Sequence, residues 1–242
     1  MISTYSFALS IILFNLALVL VFLLRRKRYF IARYGIQVLI LIVALGIIRL
    51  FSPVDGQFPH VIRSHKVIPA IRSALGYGIF GNQITVGKIL LAVWLGGTAV
   101  FLIRDVCLIL RFKWQRAGYT ECNNAQVRAI AKELGITKPL VITPCVPMPH
   151  VAGHFRQVIY VPPLELSEED WKYVLQHEIQ HIAAHDQQIK LFFLFLRSLF
   201  WWNPVSQLFI KELDAILELR CDDQVCAKLS EDEQVSYFGA MR

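Results

Sequence analysis

Acidic side chains are nearly missing from the first half of this 242-residue sequence. Residues 1–116 hold 2 Asp+Glu against 14 Lys+Arg, whereas residues 117–242 hold 16 against 11. The overall charge of +7 is therefore the sum of a +12 half and a −5 half. The basic residues of the first half flank apolar runs, which fits control of membrane topology and argues against direct nucleic-acid binding. No basic residue precedes the first apolar run, and no small-residue cleavage site follows it. The run is also too long for a secretory leader. The five cysteines (Cys107, Cys122, Cys145, Cys221 and Cys226) include no C-x-x-C pair, and in a cytoplasmic domain they are expected to stay reduced. There is no internal repeat and no low-complexity tract.

What the chain has in abundance is apolar surface. It is 55% hydrophobic and 12% aromatic, with a mean hydropathy of +0.49. That composition excludes an ordinary soluble protein. Residues 4–24 form a nearly unbroken apolar run, long enough for a bilayer core. Residues 34–50 form a second span, with Gln37 inside it and Arg49 placed to snorkel. Residues 84–103 form a third, with Lys88 near its start and Gly96-Gly97 suited to close helix packing. Arg25, Arg26, Lys27, Arg28 and Arg33 follow the first span, and Arg111, Lys113 and Arg116 follow the third. The positive-inside rule then puts the N-terminus outside, residues 52–83 in an outer loop, and the chain from 111 onward in the cytoplasm. A short amphipathic helix is expected around residues 61–75.

The second half turns on residues 177–181, HEIQH. On a helix, His177 and His181 share one face and can bind one Zn²⁺, while Glu178 reaches the metal-bound water as general base. Ser167 opens the helix in a capping-box-like S-E-E-D start. Trp171, Val174, Leu175, Ile179 and Ile182 then supply an apolar stripe of helical period. A third ligand must come from elsewhere. His185 is about 12 Å along the helix from His177, too far to share the ion, and reads as a polar or supporting residue. A metzincin continuation would need Gly at 184 and His at 187, where the chain has Ala184 and Gln187. The best candidate is Glu218, with Asp222 one turn on to orient a ligand histidine; an ordinary charged helix face is the bland alternative.

Around that helix the sequence reads as an α+β domain over 117–242. Asn123 or Asn124 caps a helix ending at Gly135, and residues 140–143 and 157–161 read as strands. Gln157, Val158, Ile159, Tyr160 and Val161 are the candidate edge strand for holding a peptide by β-addition, with a plain structural hairpin as the alternative. His150 and His154 lie on the intervening loop as surface or hydrogen-bonding residues, each also able to polarise a substrate carbonyl. Residues 189–210 are apolar, but a full crossing there would separate Glu218 from the histidines. They are expected to form a helix in the interface or against the spans, turned back at Asn203-Pro204, with Trp201 and Trp202 at the interface.

The motifs ILLAVWLG, PHVAGHFRQVIYVP at 149–162, HEIQHIAAHD at 177–186, WWNP at 201–204 and ELRCDD at 218–223 line up together. In that order the chain resembles the bacterial BlaR/MecR-type integral-membrane zinc metallopeptidases, the antirepressor family, over roughly residues 84–238. The resemblance implies a mainly α membrane protein: three transmembrane helices, then a cytoplasmic α+β gluzincin-like zinc peptidase domain with a membrane-associated helix. It implies a bacterial cytoplasmic-membrane location. Carried onto this sequence, His177, His181 and Glu218 are zinc ligands, Glu178 the base and Asp222 the support. It further implies proteolysis of a cytoplasmic protein, in the best-known members a transcriptional repressor, or of the chain itself, in response to an outside signal. The sequence departs from those receptors by stopping at Arg242, without a later span or a penicillin-binding sensor domain, so it is a shorter member or a fragment. Sensing would then fall to the outer loop, a sensor partner or a homo-oligomer. Two other readings compete: a CAAX-prenyl-protease or HtpX-like peptidase, and a non-proteolytic metal-binding signalling scaffold.

Overall fold

The computed structural model describes residues 4–27, 30–31, 34–52, 67–79, 84–116, 122 and 124–241. It is mainly helical. Helices α1 (Thr4–Arg25) and α2 (Gln37–Phe51) pair closely. Gly46 makes that approach feasible: a Cβ there would lie 3.0 Å from the Ala17 Cβ. Helix α3 (Val67–Gly76) precedes a two-stranded ribbon, β1 (Gly78–Ile79) against β2 (Ile84–Thr85). The expected amphipathic helix is thus seen from Val67 on; residues 61–66, like Arg28, Arg33, Arg63, Lys66 and Asn123, lie outside the described residues.

Helix α4 (Val86–Arg116) runs 31 residues, about 46 Å at 1.5 Å per residue. Its stretch Val86–Trp114 is long and apolar enough to cross a membrane, with its side chains facing outward. The stretches Leu9–Arg25 and Gln37–Phe51 are apolar but shorter. The helix continues well past residue 103, where the sequence pattern of the third span stops, because Asp105 does not meet an apolar environment alone. Arg197 donates to both its oxygens at 2.7 Å, Arg104 approaches at 2.9 Å, and Ser198 donates at 3.3 Å.

The second half begins with α5 (Ala125–Glu133), capped by Asn124, which accepts from the Gln126 and Val127 amides, and followed by Gly135 at φ +69°. Three strands follow: β3 (Leu140–Ile142), β4 (His150–Ala152) and β5 (Val158–Val161), in the order β3-β5-β4. β5 runs parallel to β3 and antiparallel to β4, so residues 157–161 do not form an edge strand. Both sides of β5 are already paired, and Gln157, Ile159 and Val161 are buried, so no peptide can be added there. The edges of this sheet are β3 and β4, and β4 lies inside what the sequence shows only as a Pro- and Gly-marked loop.

Helix α6 (Glu168–Ala183) starts at Ser167, whose hydroxyl accepts from the Asp170 amide. Helix α7 (Asp186–Leu199) and helix α8 (Pro204–Cys226) replace the single apolar stretch at 189–210. The chain turns at Asn203-Pro204: Asn203 caps α8 by accepting from the Val205 amide, and Pro204 occupies the first turn, where its missing N–H costs nothing. Helix α9 (Glu231–Ala240) has no counterpart in the sequence reading, although Ser230 and Glu233 make a complete capping box.

Among the described residues, three apolar cores hold these elements. The first joins α1 and α2 to α7 and α8, through Phe14, Leu18, Leu39, Phe193, Leu213 and Ile216 among others. The second lies under the sheet between α5 and α6. The third is small, made by Tyr173, Cys221, Val225 and Tyr237 from α6, α8 and α9. Helix α4 docks on the α7–α8 turn through two indoles: Trp94 donates to the Leu199 carbonyl at 2.9 Å, and Trp201 donates to the Trp94 carbonyl at 3.2 Å. Trp201 is therefore a docking residue, while Trp202 is about half exposed. Gly97 lies directly under the Trp201 ring, and a Cβ there would fall inside the indole. Gly97→Ala is accordingly expected to cost about 1–3 kcal/mol through overpacking. It should lower the thermal midpoint in detergent, and Trp201→Phe should recover part of the loss. An unchanged midpoint for Gly97→Ala would show that α4 is not fastened at this point.

Candidate metal centre

Helix α6 turns one face into the sheet core through Trp171, Val174 and Leu175, and places His177, Glu178 and His181 just beyond it, all buried. The two histidines direct Nε2 to a common point: the Nε2 atoms are 3.0 Å apart. Helix α8 brings Glu218 to the same point, its Oε2 3.3 Å from each Nε2. Those separations are the edges of a small triangle. A tetrahedral ion with bonds near 2.0–2.1 Å separates its ligand atoms by about 3.3 Å. The sequence-expected trio is thus brought together, at separations near those between the ligands of a tetrahedral ion.

The outer ring nitrogens decide what the inner ones carry. His181 Nδ1 is 2.7 Å from Asp186 Oδ2. A carboxylate only accepts, so Nδ1 holds the proton and Nε2 presents a lone pair. Asp186 is in turn gripped by Arg220. His177 Nδ1 is 2.7 Å from the Tyr237 hydroxyl, which donates at 2.7 Å to Asp222 Oδ1; Asp222 itself is 3.3 Å from Nδ1. Neutral histidines of this tautomer leave three lone-pair-bearing atoms aimed at one another. Only a proton or a cation relieves that arrangement.

The titration shifts express the same conflict. Burial disfavours charge on His181, but Asp186, Cys221 and Glu218 outweigh it, and its pKa is pushed up to about 11. Burial likewise opposes charge on His177, and Asp222, Cys221 and Glu218 together raise it well above the usual range. Glu218 is pushed up by burial but pulled further down by the two histidines, so its carboxyl stays ionised. In the metal-free protein, protons therefore hold the triangle that a divalent ion is suited to hold.

Glu178 stands apart from the triangle. Burial raises its pKa, against the lowering effect of His181 and His177, while its backbone contact is with Val151. Its Oε2 is buried and has no hydrogen-bond partner among the described residues. A buried, unpartnered carboxylate oxygen is costly unless something polar arrives there.

Other sequence expectations fall elsewhere. His185 is exposed at φ +58° in the α6–α7 turn; it supports no ligand itself, but the turn swings Asp186 under His181. His150 packs against Tyr160 and Phe112, and His154 Nδ1 lies 3.0 Å from the Gln187 carbonyl. Cys221 forms a second donor group with His177 and His181. Its thiol donates to the His177 carbonyl at 3.3 Å and lies 3.6 Å from His177 Nδ1, whereas Glu218 Oε2 lies 3.3 Å from both Nε2 atoms. The sequence reading missed Asp186, Arg220 and Tyr237. Asp186 ends the HEIQHIAAHD string and Arg220 lies within ELRCDD, so both had a local signal; Tyr237 had none.

A family model described as BlaR1 peptidase M56 matches residues 6–241. The regulatory protein BlaR1 of Bacillus licheniformis is 25% identical over 154 residues, 60% of this chain and 26% of that protein. Methicillin resistance mecR1 proteins of Staphylococcus aureus and Staphylococcus epidermidis are 25% identical over 92 residues, 37% of this chain and 16% of theirs. The matches thus span about a quarter or less of these relatives' length.

Two measurements check the centre. Elemental analysis of detergent-purified protein should find about one zinc per chain, and clearly less in Glu218→Ala. Zinc uptake near pH 7 should also release protons, because His181 holds its proton up to about 11 without metal. Acid should weaken binding for the same reason. Zinc bound without proton release would contradict the metal-free protonation argued here.

Proposed function

The chain belongs to the BlaR1 peptidase M56 family, and from that premise we propose that it is a membrane-embedded zinc endopeptidase that cleaves a cytoplasmic protein, or itself, in signal transduction. The observation that carries the reading is the pairing of a three-ligand triangle with a neighbouring unpartnered Glu178 oxygen. A structural metal site has no use for such a base. When bound, zinc supplies Lewis-acid polarisation and lowers the pKa of water.

In this reading His177 and His181 offer Nε2 and Glu218 offers Oε2. Glu178 accepts a proton at Oε2 from the attacking water and returns it to the leaving amine. Its raised proton affinity suits both halves of that transfer. The substrate strand is assigned to β4 instead of β5. β4 is the edge of the sheet that packs beside α6, paired on one side only among the described residues, and a substrate strand there would take the Val151 carbonyl from Gln187 Nε2. Helices α1, α2 and α4 serve as the three spans, with the N-terminus outside and 117–242 forming the cytoplasmic gluzincin-like domain. The basic flanks support that orientation. A transcriptional repressor is the proposed substrate class, and an outer-loop signal, a sensor partner or a second copy the proposed input.

The family match over residues 6–241 favours this reading over a CAAX-prenyl-protease or HtpX-like one. Glu178→Gln separates it from a non-proteolytic scaffold. The variant should keep its zinc and lose cleavage by about 10²–10⁴-fold. Signalling that survives Glu178→Gln in cells, with no cleaved protein, would leave the scaffold standing and remove the peptidase.

A further inference from the structure

Tyr237 is 0% exposed, on the last helix, 60 residues beyond the histidine it touches. It lies at the centre of the smallest core, its ring meeting Tyr173 edge-on at 6.1 Å. A phenol has one proton to give. Asp222 Oδ1, at 2.7 Å, is an acceptor only, so the hydroxyl donates there. The His177 nitrogen, also at 2.7 Å, must then donate to the phenol oxygen. The line fixes a proton on Nδ1, so the neutral, ligand-competent form of His177 is the one whose Nε2 is the free acceptor on the Glu218 side.

We propose that Tyr237 is a positioning residue of the metal centre: its hydroxyl, clamped between His177 Nδ1 and Asp222, fixes the His177 tautomer and ring angle, making α9 a working part of the site. The inference rests on the metallopeptidase reading above. The two histidines differ in how they are held. His181 is oriented by Asp186, five residues away in the turn that ends its own helix. His177 gets its short contact only when α9 is docked. That docking rests on Tyr237 itself, the capping box at Ser230, and Gln234 Nε2 donating to the Cys226 and Leu229 carbonyls at 3.0 and 3.2 Å. Without the phenol oxygen, His177 Nδ1 would keep only the 3.3 Å approach of Asp222 and the sulfur of Cys221.

The test is the zinc dissociation constant of the full chain in detergent, by chelator competition, for the parent, Tyr237→Phe, Asp222→Asn and the double variant. Phenylalanine keeps the ring and its packing, so Tyr237→Phe removes only the hydroxyl. It should weaken zinc binding about tenfold, the low end for loss of a ligand's supporting hydrogen bond. The double variant should bind no more weakly than the weaker of the two single variants, because both act through one line of hydrogen bonds. Visible absorption of the Co²⁺-loaded protein should shift in Tyr237→Phe, since the ring angle of a ligand changes. Parent-like affinity and an unshifted spectrum in a folded Tyr237→Phe would overturn the proposal, as would fully additive losses in the double variant. If Tyr237→Phe does not fold, Asp222→Asn decides: parent-like affinity there overturns the relay, and a loss with a shifted Co²⁺ spectrum supports it. A parent that binds no zinc would fail the metal reading itself and the proposal with it, a result distinguishable from loss in the variants alone.

Discussion

Three acceptor atoms aimed at one point are the constraint on which the rest of this structure depends. Two imidazole nitrogens and a carboxylate oxygen within 3.0–3.3 Å of one another repel unless a positive charge lies between them. Four elements hold them there regardless: α6 supplies both histidines, the start of α7 supplies Asp186, α8 supplies Glu218 and Asp222, and α9 supplies Tyr237. Each of the two histidines is fixed at its far nitrogen by a group that accepts from it, and that fixes which nitrogen faces inward.

Helix α8 carries this constraint into the apolar half of the chain. Its Phe209, Leu213, Ile216 and Leu217 share a core with α1 and α2, and the next residue is Glu218. Ion pairs reinforce the same junction: Arg25 on α1 meets Glu212 on α8, and Asp105 on α4 meets Arg197 on α7. Breaking one partner of a buried pair costs about 3–5 kcal/mol, because the survivor is left charged and dry. The site and the apolar helices are thus one packed structure. A shift of α1, α2 or α4 reaches α7 and α8 directly, and through them Asp186 and Glu218.

The sequence showed the parts of the site that are local. His177, Glu178 and His181 are one turn of one helix, and the Ser167 start and the Asn203-Pro204 turn are capping chemistry within a few residues. Glu218 was reachable because an i, i+4 acidic pair repeats the helical face. The edge strand was not, for a physical reason. A central strand is buried on both sides of its ladder and so carries the stronger apolar pattern, as Val158–Val161 does; an edge strand of three residues, His150–Ala152, has too few positions to show a period. Reading the strongest strand as the edge inverts the sheet. Tyr237 was invisible for a different reason: nothing near it in the chain marks a hydroxyl that acts on a histidine 60 residues earlier.

Glu178 shows why the site needs two carboxylates in unlike surroundings. Glu218 is about half exposed and lies between two histidines, which keep it ionised and fit to hold a cation. Glu178 is buried one residue from a ligand, with desolvation as its largest influence and one oxygen unpartnered. A carboxylate held low in pKa makes a good ligand and a poor proton carrier; one raised by burial has the opposite qualities. In the proposed reading, exchanging their environments would leave both residue types in place and remove both functions. The contrast between the two carboxyls is therefore set by burial and neighbours, which the helix positions of residues 178 and 218 decide.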